Sequence, residues 1–170
     1  MASVYIMCGL AFAGKTTVAR AIAGRAGGEV VSLDEITAVR GLSGGQGIPA
    51  AEWERAHAVA LRQTDALLAR GVVAVVDDTG CFRWLRDRYR QVARRRDSAD
   101  IVVFVDTPLA EARRRLTEND ETRRRPAVRL EVLDVLARSF EPPQPDEATI
   151  TFSPGDRLAP WLEEHVPGRL

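Results

Sequence analysis

The sequence predicts an α/β fold built on a parallel β-sheet with helices on both of its faces. Short apolar runs rich in β-branched residues alternate with longer amphipathic stretches along the whole chain. Apolar runs of this kind are typical of strands that are covered on both faces. Repeated strand–helix–strand order favours parallel strands joined by right-handed crossovers. At 170 residues, the chain is expected to form one domain that spans residues 1–170.

Five strands and six main helices are expected along the chain. The strands are predicted at Val4–Cys8, Val30–Leu33, Val72–Val76, Ile101–Val105 and Thr149–Phe152. The helices are predicted at Lys15–Ala26, Ala50–Arg70, Phe82–Arg96, Leu109–Asn119, Ala127–Phe140 and Asp156–His165. In parallel α/β sheets, ligands bind beyond the carboxyl ends of the strands. The polar residues that directly follow each strand are therefore the first candidates for a functional site.

The composition argues against several classes of protein. Equal numbers of basic and acidic residues give a formal net charge of zero, so no overall attraction to nucleic acid or to an anionic membrane is expected. No apolar run approaches the roughly 18 residues needed to span a bilayer, and the N-terminus lacks the features of a signal peptide. The two cysteines have no metal-ligand spacing. We expect a cytoplasmic protein with reduced thiols and no membrane partner.

The first loop matches a phosphate-binding motif. Residues Gly9–Thr16 fit G-x-x-x-x-G-K-[ST] between a predicted strand and a predicted helix. In such a P-loop the backbone N–H groups and the helix N-terminus surround phosphates, the lysine reaches the β- and γ-phosphates, and the hydroxyl binds Mg²⁺. Lys15 is also the only lysine in the chain. The residues predicted to contact ATP are Gly9, Ala11, Phe12, Ala13, Gly14, Lys15, Thr16 and Thr17. With this motif, the predicted fold class is a three-layer P-loop NTPase fold with a five-stranded parallel sheet.

Carboxylates follow the second and third predicted strands. Asp34 is interpreted either as the N-cap of a short helix at Glu35–Val39 or as a general base for an acceptor hydroxyl; the two roles are not exclusive. Asp77 and Asp78 end the third strand, where an acid linked to Mg²⁺ is expected together with Thr16. The sequence leaves open which of the two faces the metal, and both are also compatible with turn positions.

Two arginine clusters follow the fourth strand. Arg113–Arg115 and Arg123–Arg125 flank the acidic segment Glu118–Glu121. Most of these arginines are expected to lie on solvated helix faces. Small kinases, however, carry a lid in this segment, and one or two arginines are expected to close over the transferred phosphoryl group. The lid is predicted around residues 113–126. The isolated histidines, His57 and His165, are interpreted as surface residues.

The ordered set of motifs resembles the AAA_33, or zeta-toxin-like, group of the P-loop kinase superfamily. That group includes polynucleotide 5′-hydroxyl kinase domains and chloramphenicol phosphotransferase. Besides the P-loop and the arginine-rich lid, the resemblance rests on Asp34, Asp77–Gly80, Val105–Pro108 and Phe140–Pro143, and it covers residues 3–150. It implies a catalytic role for Lys15 and for Asp34 as the base. It also implies phosphate contacts from lid residues among Arg114, Arg115, Arg123 and Arg125.

The sequence thus predicts an ATP- and Mg²⁺-dependent phosphotransferase that acts on a hydroxyl of a small molecule, such as an antibiotic or another metabolite. The alternatives are a polynucleotide 5′-hydroxyl kinase and a regulatory ATPase without a phosphoryl acceptor. Gly80 stands where several relatives have Asn, and Asn119 falls near a second lid arginine of polynucleotide kinases; nucleic acid is therefore not favoured as acceptor. The acceptor pocket is expected at the loop Gly41–Pro49 and the following helix. The acceptor's identity, the preference for ATP over GTP and the oligomeric state stay open.

Overall fold

The computed structural model describes residues 2–42, 48–122 and 128–168. Five parallel strands form one sheet between two layers of helices, so the predicted fold class is confirmed. The strands are β1 (Ser3–Cys8), β2 (Glu29–Ser32), β3 (Ala74–Asp77), β4 (Ala99–Val105) and β5 (Thr149–Phe152), in the spatial order β2-β3-β1-β4-β5. The helices are α1 (Lys15–Ala26), α2 (Leu33–Val39), α3 (Ala50–Ala69), α4 (Arg83–Arg95), α5 (Leu109–Thr122), α6 (Leu130–Ser139) and α7 (Leu158–His165).

The central strand β1 divides the core into two halves. Val4 and Ile6 pack with α3 and α4 on one face of the sheet, whereas Tyr5 and Met7 pack with α1 and α7 on the other. Successive side chains of a strand point to opposite faces, so a strand covered on both sides needs apolar residues at every position. This requirement explains the continuous apolar run in the sequence. Since the strands themselves are apolar, the polar residues lie beyond their carboxyl ends, at one edge of the sheet.

The short helix α2 follows β2 without a loop. It begins at Leu33, and the hydroxyl of Ser32 accepts a hydrogen bond from the backbone N–H of Glu35 at 3.3 Å. Ser32 is therefore the N-cap, and the interpretation of Asp34 as the cap is wrong. Asp34 lies instead in the first helical turn with its side chain exposed.

Strand β3 begins two residues later than the sequence pattern suggested. The backbone N–H of Val72 bonds to the carbonyl of Leu67 at 3.0 Å, and that of Gly71 bonds to Leu68 at 3.0 Å. Gly71 has a φ of 74°. These paired bonds form the C-terminal capping arrangement of α3. Because the cap uses Val72, this apolar residue closes the helix and does not join the strand.

The turn after β3 packs directly on the backbone of β1. Gly80 has a φ of 53°, and a Cβ atom at this position would lie 2.2 Å from the carbonyl oxygen of Met7. The backbone N–H of Gly9 also donates to the carbonyl of Thr79 at 3.0 Å. The first residue of the P-loop and the turn after β3 are thereby fixed together. This contact explains why position 80 of this chain is Gly, which lacks a Cβ.

We expect Gly80→Ala to lower the free energy of unfolding by about 2–4 kcal/mol, because a Cβ would overlap a backbone oxygen and alanine disfavours a positive φ. Gly24→Ala is the matched control. Gly24 lies inside α1, where a Cβ would meet nothing within 4 Å, so this change should stabilise the protein by about 0.5–1 kcal/mol. Urea unfolding of both variants checks the pair. Equal effects would contradict the close approach at Gly80.

Two predicted segments fall partly outside the described residues. Of the lid predicted around 113–126, the structure describes the part up to Thr122, and Arg123 and Arg125 lie beyond it. Residues 43–47 of the loop Gly41–Pro49 also lie outside the described part. Within the described ranges, no helix is both long enough and apolar enough to cross a membrane.

Candidate active site

The P-loop connects β1 to α1 and curls over the N-terminus of α1. Gly9, Phe12 and Gly14 all have positive φ values, of 152°, 62° and 103° respectively. Phe12 is a non-glycine residue in the left-handed region, a conformation that often marks functional loops. Since α1 begins at Lys15, the positive end of its helix dipole lies at the curled loop. A backbone arrangement of this kind is suited to an anion.

Apolar contacts tie the P-loop to the helices that follow β4. Leu10, Ala11 and Phe12 pack against a small cluster formed by Ala112 and Leu116 of α5 and by Leu133 of α6. On the other side of the loop, the hydroxyl of Thr107 donates to the carbonyl of Ala13 at 2.9 Å. Thr107, the second residue after β4, therefore supports the P-loop from beside it.

Lys15 lies beneath the loop among acidic residues. Its Nζ donates to the carbonyl of Leu10 at 2.7 Å, and only 8% of the residue is exposed. Burial lowers the pKa of the amine, while the nearby carboxylates of Asp77, Asp78 and Asp34 oppose that shift. The P-loop lysine thus meets the carboxylates that follow β2 and β3, as the sheet-edge argument predicted.

Asp77 is the acid that faces the P-loop. Burial raises the pKa of Asp77, and its interactions with the side chain of Thr16 and with the charge of Lys15 act against this rise. A hydroxyl and one carboxylate suit Mg²⁺, which takes few protein ligands and completes its shell with phosphate oxygens and water. The described ranges contain no group of three or more His, Cys, Asp or Glu residues suited to a metal ion.

Asp78 turns toward α3 and α4. One carboxylate oxygen accepts a hydrogen bond from the backbone N–H of Thr79 at 2.7 Å, and its charge acts on His57 of α3 and Tyr89 of α4. The two adjacent acids thus face different parts of the site.

His57 is buried, so its interpretation as a surface residue is wrong. Only 7% of it is exposed, and its ring stacks on Trp53 with centroids 6.2 Å apart. Burial lowers the pKa of the imidazole, while Asp78 opposes the shift. The helical spacing contained a signal, because His57 lies four residues after Trp53 and three before the buried Ala60.

Asp34 is an exposed carboxylate whose charge acts on Lys15. Its charge is close enough to raise the pKa values of both Lys15 and Asp77. The neighbouring Glu35 is also exposed. The carboxyl end of β2 therefore presents Asp34 where a second substrate could reach it.

Arg115 of α5 lies against the P-loop. Its Nη1 donates to the carbonyl of Ala13 at 3.0 Å, and its Nε donates to Glu111 at 2.7 Å. The neighbouring Arg114 pairs with Glu111 and with Glu118 of the same helix. Hydrogen bonds from Arg114 and then Arg115 lower the pKa of Glu111 to about 2. Of the two predicted lid arginines that lie within the described residues, Arg114 and Arg115, Arg115 is the one in contact with the loop.

Two cavities border the P-loop. One of about 520 Å³ lies between the loop and α5. The other, of about 360 Å³, lies between the loop, the start of α5 and the β5–α7 loop, residues Ser153–Asp156. Gly14, Thr17 and Arg115 line both. The β5–α7 loop was not among the predicted site residues, although its polar residues directly follow a strand.

A buried arginine supports the floor of the site. Arg86 of α4 is fully buried and forms a two-pronged ion pair with Glu147 at 2.7 and 2.8 Å. Its Nη1 also donates to the carbonyls of Gly80 at 2.8 Å and Glu141 at 2.9 Å. The turn after β3 and the segment before β5 are therefore joined through one side chain. The sequence did not distinguish Arg86 from the many arginines around it.

A comparison with family models matches residues 4–143 to AAA_33, described as an AAA domain. The chain belongs to the AAA_33 family. The matched region of this AAA_33 protein contains the P-loop, Asp34, Asp77 and all of α5. The predicted membership of the AAA_33 group is confirmed. No curated protein sequence matches the chain.

Solved structures share the fold at low sequence identity. A sugar kinase from Janibacter sp. HTCC2649 is 18% identical, with a TM-score of 0.72. The match covers 96% of this chain and 92% of the sugar kinase chain. The Mycobacterium tuberculosis APS kinase CysC in complex with AMPPNP and APS is 18% identical, with a TM-score of 0.67 and coverages of 96% and 94%. Kti12 from Chaetomium thermophilum in complex with ADP-AlF3 is 18% identical, with a TM-score of 0.71 and coverages of 95% and 94%.

Proposed function

We propose that this AAA_33 protein is a cytoplasmic phosphotransferase that moves the γ-phosphoryl group of ATP to a hydroxyl of a small molecule. The observation that carries the proposal is the grouping at one sheet edge of Lys15, the Thr16–Asp77 pair and the exposed carboxylate of Asp34. A nucleotide-binding site alone would need only the first two. The separate exposed acid supplies a group that can receive a proton from an acceptor.

The P-loop would bind the donor nucleotide. The backbone N–H groups of Gly9–Thr16 would surround the phosphates, and Lys15 would exchange its bond to Leu10 for phosphate oxygens. Thr16 and Asp77 would hold Mg²⁺, and the ion would neutralise the charge that develops on the phosphates. The 360 Å³ cavity beside Ser153–Asp156 would accept the nucleotide base.

Transfer itself would depend on position and charge. Asp34 would orient the acceptor hydroxyl and take its proton, while Arg115 would stabilise negative charge on the transferred group. Arg114, which pairs with acids of its own helix, is the weaker candidate for a phosphate contact. Roles for Arg123 and Arg125 remain proposals that rest on the family resemblance.

The names of similar structures support a small acceptor. Sugar kinase, gluconokinase and APS kinase each appear among them, and each name denotes a kinase of a small molecule. The formal net charge of zero gives this chain no general attraction to a polynucleotide. A nucleic-acid acceptor is the less favoured alternative.

Label transfer tests the proposal. The purified protein is incubated with Mg²⁺ and γ-labelled ATP against sugars, other polyols, nucleosides, hydroxylated antibiotics and oligonucleotides. We expect label in a phosphomonoester of one class of small alcohol. Label found only in inorganic phosphate, with every acceptor and at every concentration, would count against a phosphotransferase and for an ATPase.

In the same assay, Arg115→Gln should lower kcat by about 10²–10³-fold, because it removes a cation that lies on the P-loop. Arg114→Gln is the matched control on the adjacent position, and its kcat should stay within about twofold of the wild type, since its partners are exposed acids. A larger loss for Arg114→Gln than for Arg115→Gln would reverse the assignment.

A further inference from the structure

Three buried polar atoms meet no hydrogen-bond partner within the described part of the chain. They are Nδ1 of His57, one carboxylate oxygen of Asp78 and the hydroxyl of Tyr89. His57 is 7% exposed and Tyr89 is 1% exposed. Leaving such a group unpaired costs about 1–3 kcal/mol each. Three of them in one small region indicate a binding function more readily than chance packing.

The three groups belong to one corner of the site. His57 comes from the second turn of α3, Tyr89 from the second turn of α4, and Asp78 from the turn between β3 and α4. The charge of Asp78 acts on the side chains of both His57 and Tyr89. Asp78 directly follows Asp77, which faces the P-loop. The corner therefore adjoins the phosphate site on the face of the sheet opposite the base cavity.

Aromatic rings border the entrance to this corner. Trp53 is half-buried and stacks on His57, and Trp84 is 56% exposed. Trp84 and Arg88 lie four residues apart on one face of α4, and Arg88 forms a two-pronged ion pair with Glu54 of α3 at 2.7 and 3.0 Å. Trp84 therefore lies on the same face of α4 as the residue that pairs with α3.

We propose that His57, Asp78 and Tyr89 bind the phosphoryl acceptor and that the acceptor is a polyhydroxylated small molecule. This inference rests on the proposed function. The carboxylate oxygen only accepts hydrogen bonds, the phenol donates and accepts, and the imidazole nitrogen does one or the other according to its tautomer. Neighbouring hydroxyl groups, each both a donor and an acceptor, match this mixed set. The acceptor reaches the three atoms by displacing Trp53, the half-buried ring that covers His57.

The test uses two arms with the full chain. In the binding arm, myo-inositol, D-gluconate and D-ribose are titrated calorimetrically into protein that holds Mg²⁺ and a non-hydrolysable ATP analogue, with 3-phenylpropanol as the single-hydroxyl comparison. In the transfer arm, the KM of each alcohol is measured with labelled ATP. The variants are His57→Phe, His57→Asn and Tyr89→Phe. The chain has one other histidine and one other tyrosine, so His165→Gln and Tyr5→Phe are matched controls.

We expect at least one polyol to bind, and the three variants to weaken its affinity about ten- to hundredfold while affinity for the ATP analogue stays within twofold. Both controls should match the wild type. Unchanged polyol affinity in His57→Phe and Tyr89→Phe would overturn the inference and assign the cluster to an internal water. Binding of none of the polyols would also overturn it. Polyol binding that the variants weaken, without any label transfer, would support the inference while the proposed kinase activity fails.

Discussion

Asp34→Asn should lower the rate of phosphoryl transfer by at least about 10³-fold while leaving ATP binding nearly unchanged. General base catalysis contributes roughly 10²–10⁴-fold in enzymes of this kind, and a carboxamide of the same shape cannot take the proton. Asp34 is exposed in the first turn of α2 and Ser32 caps that helix, so the change should not disturb the fold. Label transfer gives kcat, and titration of a non-hydrolysable ATP analogue gives the affinity.

Glu35→Gln is the control for this prediction. Glu35 is the next residue of the same exposed turn and carries the same charge, so the control removes one negative charge from this turn without changing Asp34. The control should transfer phosphoryl groups at the wild-type rate. An Asp34→Asn variant that kept full activity would remove Asp34 from the mechanism.

Glu147→Gln should lower the free energy of unfolding by about 3–5 kcal/mol, because it leaves the guanidinium of Arg86 buried without a balancing charge. Both side chains of the ion pair are fully buried. Arg86 also holds the carbonyl of Gly80, so the loss should reach the turn beside the P-loop. Guanidinium chloride unfolding measures the effect, and we expect a clearly lower midpoint with an unchanged slope.

The adjacent acid provides the comparison for Glu147. Asp146 pairs with Arg83 at 2.5 Å on the surface of the protein, and an exposed ion pair contributes little. Asp146→Asn should therefore leave the unfolding midpoint close to that of the wild type. Equal losses in the two variants would mean that burial of the Arg86–Glu147 pair does not determine its contribution.

Low pH should weaken the ion pair between Arg86 and Glu147. Burial would raise the pKa of Glu147, but hydrogen bonds from Arg86 and from the backbone N–H of Gln144 hold it below its ordinary value. A carboxyl with a lowered pKa in the folded state stabilises the protein fully above its unfolded pKa, about 4.3, and loses this contribution as pH falls through the folded value. Wild-type stability should thus decline more steeply below about pH 4 than that of Glu147→Gln.

The sequence contained most of the fold because its local signals agreed with one another. The predicted helix at Lys15–Ala26 has the observed bounds, and each predicted strand overlaps an observed one. Differences arose where capping competed with periodicity: Val72 closes α3, and Ser32, not Asp34, caps α2. Such choices depend on single hydrogen bonds that hydrophobic patterns do not encode.

The nucleotide side of the site was more predictable than the acceptor side. A P-loop has fixed spacing, and acids after parallel strands reach the same edge, so Lys15 and Asp77 could be placed from sequence. His57 and Arg86 could not, because their roles arise from burial between elements distant in sequence. The sequence pattern does not distinguish a buried charged residue from an exposed one unless its partner is known. Glu147, the partner of Arg86, lies 61 residues away in the sequence.

The ratio of phosphomonoester formed to ADP formed tests the central claim most directly. Single-turnover reactions with γ-labelled ATP, Mg²⁺ and a saturating small alcohol measure both products at once. A phosphotransferase with Asp34 as base should yield nearly one phosphomonoester per ADP, and Asp34→Asn should lose this product. ADP accompanied only by inorganic phosphate, equally in wild type and Asp34→Asn, would contradict phosphoryl transfer to an alcohol.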